Sequence, residues 1–253
     1  MGLPYTVRMV LLALDTSTES MALALWVGEQ LHTHEALGGA QASQRLLPDA
    51  AQLLERAGLV WRDVQALAFG QGPGAFTGLR TACSAVQGLA LGLGVRVVAL
   101  DSLMIVAEDA LAASQGRVTS ESDKGSGMVV RVAMDARMGQ LYAAQYEWTA
   151  GAWRTQQPPG LWEAQDLANC WAATPPDRSV ILAGSGLMML QAAGMNLQSH
   201  ACMPVETSRA SALGRLARSQ WTHGPHLDAA QAMPVYVRDK VALTTEERQR
   251  ATP

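Results

Sequence analysis

The chain has 253 residues, of which 49% are hydrophobic and only 16% charged, and its formal net charge is −3. That length suits one large domain or two small ones with ample core. The charge balance lacks the basic footprint of an autonomous nucleic-acid binder, so any RNA contact needs a local patch or a basic partner. A charged fraction well below the ~25% usual in soluble proteins implies that another protein covers part of the apolar surface. Three cysteines at scattered spacing, Cys83, Cys170 and Cys202, argue against a disulfide scaffold and suit a reducing compartment. With no signal-like N-terminal segment of adequate length and no apolar run of ~18 residues, the expected compartment is the cytoplasm, without a membrane span.

Residues 9–14 form a continuous apolar run ending at Asp15, the pattern of a strand buried on both faces. A second run over 21–27 passes through the turn Gly28-Glu29-Gln30 into a third strand over 31–37, and Gly38-Gly39 breaks the chain. From 43 to 57 the apolar residues recur at helical spacing, with Gly58 as the stop. Residues 64–69 read as a strand, 77–93 as a helix and 95–100 as another strand, giving β-β-β-α-β-α-β. Farther on, the pattern predicts a helix over 102–113 and a mobile polar loop over 114–127. Strands follow over 129–134 and 141–148, then a helix over 163–172, a strand over 179–183, a helix over 208–221 and a polar tail. No internal repeat of 20–50 residues is visible. The expected subdomains are 1–104 and 105–253, with the helix at 208–221 packing back on the first.

The segment Phe69-Gly-Gln-Gly-Pro-Gly-Ala-Phe-Thr-Gly-Leu-Arg80 separates a strand from a helix by a glycine-rich turn, an arrangement that holds a phosphate or packs a helix very closely. It has no Walker A lysine or spacing, and Thr77 is its expected N-cap. Asp15-Thr16-Ser17-Thr18 closes the first strand. A strand-end turn that cradles a phosphate usually contains a glycine, with an aspartate beside it for a metal ion. Here three side-chain-bearing residues crowd that turn, so Asp15 either caps it through backbone amides or serves a nucleotide. The candidate nucleotide set is Asp15, Thr16, Gly72 and Gly74.

Together with Leu12-Ala-Leu-Asp-Thr-Ser-Thr-Glu19, Gln87-Gly-Leu-Ala-Leu-Gly92, Asp135-Ala-Arg-Met-Gly139 and Pro234-Val-Tyr-Val-Arg238, this segment resembles the bacterial TsaB (YeaZ) family, in register from about residue 9 to 240. The resemblance implies an α/β fold of the actin-like ATPase (ASKHA, RNase H-like) type with two related subdomains. It also implies a non-catalytic role in forming threonylcarbamoyladenosine at adenosine 37 of tRNAs that read codons beginning with A. In that system TsaD carries out the transfer, TsaB pairs with it, and the P-loop ATPase TsaE joins them. ATP and a divalent metal belong to the complex, tRNA is met through it, and this chain alone needs no cofactor. One departure is Ala42, where a histidine is common.

The two helices at 43–57 and 77–93 carry broad apolar stripes and a small-residue track, which suits a helix shared between the sheet and a partner. The expected interface comprises Leu46, Leu47, Ala50, Leu54, Leu79, Ala82, Cys83, Ala85, Val86, Leu89 and Ala90, and a homodimer through them is expected when the chain is alone. Cys83 also reads as core. No metal set is expected: His32 and His34 share a strand face without a third ligand, and His223 and His226 flank a Gly-Pro turn. The catalytic relatives carry a His-x-x-x-His pair, whereas no histidine lies between His34 and His200. No nucleophile triad stands out. Asp135 and Arg137 read as a turn-forming pair or a substrate pair, and the seven tryptophans as scattered anchors without basic neighbours. The rival to the partner-subunit reading is an ATP-dependent transferase of the actin-like fold with Asp15 on the metal.

Overall fold

The computed structural model describes residues 8–114, 127–173, 179–198 and 200–238. Most of the loop expected at 114–127 and the polar tail lie outside the described residues. Strand β1 (Val10–Asp15) pairs antiparallel with β2 (Ser20–Val27), and β2 with β3 (Gln30–Leu37). After helix α1 (Ala42–Arg56), β4 (Ala66–Gly72) joins the other side of β1 in parallel. Helix α2 (Phe76–Leu93) then leads to β5 (Arg96–Asp101), parallel to β4, so the sheet order is β3-β2-β1-β4-β5.

A second sheet repeats this winding. Helix α3 (Ser102–Ser114) precedes β6 (Met128–Asp135), β7 (Gln140–Thr149) and β8 (Ala152–Glu163), which form an antiparallel meander. Then come α4 (Ala164–Ala173), β9 (Val180–Ala183), α5 (Leu187–Ala192) and β10 (Ala201–Met203), with both strands parallel to β6 and the order β10-β9-β6-β7-β8. In each sheet the strands lie third-second-first-fourth-fifth. The chain is thus an α/β protein of two like-wound subdomains, the actin-like arrangement, although no repeat is legible in its sequence.

Helix α6 (Arg209–His223) crosses back onto the first sheet and, with α3, fills the space between the sheets. Small side chains make this close approach work: Ala13, Ala22, Ala24, Ala66 and Ala68 face the middle layer, and Trp26 Nε1 donates to Gly214 O at 2.7 Å. The alternate residues Val10, Leu12, Leu14, Met21, Leu23 and Leu25 face the other way, onto α1 and α2. Helix α3 is buried almost all round, which its continuous apolar sequence requires.

The sequence reading misses three elements. Strand β8 contains Pro158 and Pro159, tolerated because it is a sheet edge where an absent N–H breaks no ladder. Helix α5 and β10 are too short to show a period. The expected N-cap at Thr77 is displaced: α2 starts at Phe76, and its N-cap position is Ala75 with no side-chain cap. The helix ends as its sequence suggests, with Gly94 left-handed at φ 68°.

Burial also corrects the proposed docking face. Leu46, Ala50, Leu54, Cys83, Val86 and Ala90 are buried in this chain's own core, between α1, α2 and the first sheet, and Leu79 and Ala82 are buried as well. Burial pushes the Cys83 thiol pKa up, and its Sγ donates to Ala232 O at 3.1 Å. Only Leu47, Ala85 and Leu89 of the expected set reach the surface, where exposed Leu91 joins them on α2. A charge at Val86, which has no exposed surface, therefore attacks the fold rather than an interface. Val86→Asp should cost about 4 kcal/mol or more, lowering the melting temperature by roughly 10 °C. Thermal unfolding followed by circular dichroism checks this, with Leu91→Asp as the neutral control.

Candidate functional site

The site grows from the carboxyl end of β1, where α/β proteins place ligands. Asp15, Thr16 and Ser17 are all buried there. The glycine-rich segment after β4 lies directly against this turn. Thr16 Oγ1 donates to Gly78 O at 2.6 Å, and the Ala75 amide donates to Ser17 O at 2.7 Å. A Cβ on Gly78 would overlap Thr16 O, one on Gly74 would overlap Ser17 O, and one on Gly70 would overlap Asp15 Oδ1. These glycines are required because backbone and carboxylate already fill the space beside them. The rigid-turn reading is the one the packing satisfies. Gly72 is equally engaged: its amide donates to Ser102 Oγ at 3.0 Å, and the Val235 amide donates to Gln71 O at 2.7 Å beside it.

Asp15 has a different partner from either of those anticipated. Arg209, the first residue of α6, donates from Nε to Asp15 Oδ2 at 2.6 Å. Its Nη1 reaches Glu206 Oε2 at 2.7 Å, and its Nη2 reaches Ser17 Oγ at 2.8 Å and Ser102 O at 3.4 Å. Ser17 Oγ in turn donates to Asp15 Oδ2 at 3.1 Å. Arg209 and Asp15 have side-chain exposures of 3% and 0%, so the pair is wholly inside the protein. Burial alone would favour loss of the proton, but Asp15 and Glu206 outweigh it and hold the guanidinium pKa above its ordinary value. Asp15 Oδ1, packed on Gly70, takes no hydrogen bond from the described residues.

Two carboxylates on neighbouring elements fix the start of α6. Asp109 of α3 accepts the Thr207 and Ser208 amides at 2.6 and 2.9 Å, and Glu35 of β3 accepts the Ala210 amide at 2.8 Å. Both satisfy N–H groups at the positive end of the helix. Arg209 is thereby aimed at the turn after β1 from nearly two hundred residues away. Sequence reasoning missed it because a helix-opening arginine carries no motif; its only trace was the crowded, glycine-free turn it serves.

Above this network lies a cleft of about 460 Å³ between the subdomains, with Ser17, Ser102 and Arg209 at its base and Leu79, Leu103 and Met134 among its apolar walls. At its mouth Arg137 Nη2 meets Glu19 Oε1 at 2.8 Å, an exposed pair that contributes little stability. Asp135 Oδ1 accepts the Arg137 amide at 2.7 Å, so Asp135 acts as a turn-former. Arg238 Nη2 donates to Ala136 O at 3.0 Å, and Arg80 Nε to the Tyr236 hydroxyl at 2.9 Å, so the Pro234–Arg238 motif ties the glycine-rich helix to the second subdomain.

An actin-like nucleotide site needs a carboxylate free for a cation and amides open to phosphate. Here the carboxylate is ion-paired to Arg209, so Asp15 as it stands does not fit the cation of a bound nucleotide. No group of three or more His, Cys, Asp or Glu able to hold a metal occurs among the described residues. His34 Nε2 lies 3.1 Å from Asp49 Oδ2, joining β3 to α1, while His223 and His226 each contact a backbone carbonyl. The tryptophans do have basic neighbours, contrary to expectation: Arg218 lies 4.5 Å over Trp26, and Arg131 lies 5.4 Å from the Trp171 ring centre.

Residues 24–170 match the family described as TsaD: tRNA N6-adenosine threonylcarbamoyltransferase. The tRNA threonylcarbamoyladenosine biosynthesis protein TsaB of Escherichia coli (strain K12) is 30% identical over 253 aligned positions, covering 92% of this chain and 96% of that protein. The chain belongs to the TsaB (YeaZ) family. The Haemophilus influenzae TsaB is 38% identical over 54% of each chain. The structure of YeaZ from Pseudomonas aeruginosa superposes with a TM-score of 0.76 at 34% identity, covering 90% of this chain and 99% of that one.

In this TsaB-family chain, the two kinds of glycine in α2 should respond oppositely to substitution. Gly78→Ala drives a methyl into the Thr16 carbonyl and should cost about 2–3 kcal/mol. Gly88, in the same helix with nothing near its missing Cβ, should gain about 0.5–1 kcal/mol as alanine. Urea unfolding of the two variants measures both.

Proposed function

We propose that this chain is a non-catalytic partner subunit in tRNA threonylcarbamoyladenosine biosynthesis, pairing with a TsaD-like subunit that performs the transfer. The observation that carries this reading is the internal ion pair: where an actin-like enzyme would keep an aspartate for a cation, this chain binds Asp15 to Arg209. A chain so built contributes shape rather than chemistry. The match along nearly the whole of a relative named for this pathway supports the assignment. A TsaE-like ATPase, ATP, a divalent metal and tRNA would then be met through the complex, and the chain alone should not turn over ATP above an Asp15→Ala control.

The docking face on α1 and α2 consists of their outward residues, with Leu47 and Leu91 as exposed anchors and Ala85 and Leu89 half-buried between polar neighbours. The same face would pair two copies when the catalytic subunit is absent, since exposed leucines on a chain so poor in charge favour association.

The test is co-purification with the TsaD-like subunit of the same organism, followed by reconstituted transfer to tRNA with each subunit omitted. Leu47→Asp with Leu91→Asp should leave the melting temperature within a few degrees while weakening assembly on the order of a hundredfold, with transfer falling in step. Full-rate transfer without this chain would overturn the reading. So would a double variant that assembles normally yet transfers nothing.

A further inference from the structure

The strap of chain after α6 meets both subdomains at the mouth of the cleft. On the first, Ala232 O accepts from Gln87 Nε2 at 2.8 Å, and the Val235 amide donates to Gln71 O at 2.7 Å. Tyr236 lies against Phe76 with ring centres 5.0 Å apart, and its hydroxyl accepts from Arg80 Nε at 2.9 Å. The Arg80 guanidinium in turn sits 3.9 Å over the Phe76 ring. On the second subdomain Arg238 reaches the turn between β6 and β7. Its Nη2 donates to the carbonyls of Ala136 and Arg137 at 3.0 and 3.3 Å, and its Nη1 lies 3.3 Å from Met138 Sδ. That turn is strained: Arg137 and Met138 have φ of 66° and 57°, the left-handed region that residues with side chains rarely adopt. Met138 is 72% exposed, so burial of its own side chain does not offset the strain.

We propose that the β6–β7 turn is a strained flap at the cleft mouth, held down by Arg238, and that the strap carries this hold back to Arg80 on α2. Left-handed residues other than glycine persist only where their surroundings over-determine them. The turn's own bonds, from the Ala136 amide to Gln140 O and from the Gln140 amide to Arg137 O, set its shape but do not fix it to the first subdomain. The Arg137–Glu19 pair does cross the mouth, but it is exposed and weak. The Arg238 guanidinium grips two successive carbonyls with charged donors, and it stays in reach only while Tyr236 is seated on Phe76 and Arg80. Once it lets go, Arg137 and Met138 are free to leave the left-handed region, and the cleft they border widens. Arg80, Ser84 and Leu91 are exposed along one side of α2. In the partner-subunit reading a chain docked on that side touches Arg80 and through it the flap; the latch itself does not rest on that reading.

The test uses the full chain alone, so its outcome is separate from that of the partner reading. Amide hydrogen exchange is followed at residues 136–140 of the turn and at β1 in the core, in the unaltered protein and its variants. Arg238→Ala should speed exchange at the turn about tenfold while β1 stays unchanged. Arg80→Ala alters no contact of the turn and should still speed exchange there about threefold. Combined with Arg238→Ala it should add nothing further, since both act through one strap. Met138→Asn, which accepts the left-handed conformation, should slow exchange at the turn. Ser84→Ala, farther along the same side of α2, should change nothing. An unchanged turn in Arg238→Ala or Arg80→Ala, equal acceleration of β1, or no slowing with Met138→Asn would each overturn the proposal. So would a Glu19→Gln variant that speeds the turn as much as Arg238→Ala, because the hold would then belong to the exposed ion pair.

Discussion

The ion pair between Arg209 and Asp15 is the contact on which the rest of the structure depends. It joins the turn after β1 to the first residue of α6, and through Ser102 and Glu206 it reaches the start of α3 and the preceding loop. Each of those elements belongs to the shared middle layer or borders it. A buried pair of this kind is weak evidence for stability in itself, because desolvation offsets much of the attraction. Its weight lies in geometry: five well-directed donors fit only one arrangement of acceptors, and that arrangement fixes how α6 lies on the first sheet. Asp109 and Glu35 then hold the backbone from which the guanidinium extends.

The same contact accounts for the chemistry the cleft does not offer. A carboxylate bound to an internal cation is unavailable to an external one. The cleft persists as a space between two like-wound sheets. In the partner-subunit reading proposed above, function falls to the surface. Leu47 of α1 and Leu91 of α2 are exposed among the described residues, and the low charge fraction first suggested such an apolar surface.

Much of this was legible in the sequence, and the limits have physical causes. Strands β1, β2, β4 and β5 announce themselves because strands buried on both faces must be continuously apolar. The glycine-rich turn stands out because close packing admits no other residue there. By contrast, periodicity reveals that a helix face is buried but not what buries it. Val86, Cys83 and Leu54 therefore passed for an interface when they belong to the core beneath it. Arg209 was invisible for a related reason: its role exists only once two segments far apart in the chain meet. The duplication of the sheets was hidden likewise, since the order of strands is preserved while the residues composing them are not.

The central claim is that this chain acts through its shape and has no reaction centre of its own. Its most direct test is threonylcarbamoyl transfer to tRNA by the reconstituted complex carrying Asp15→Asn/Arg209→Met, a neutral pair unable to hold a cation but close in volume to the original. Where gel filtration shows the complex assembled, the account predicts transfer at a rate indistinguishable from that of the unaltered complex. Transfer abolished in an intact complex would contradict it.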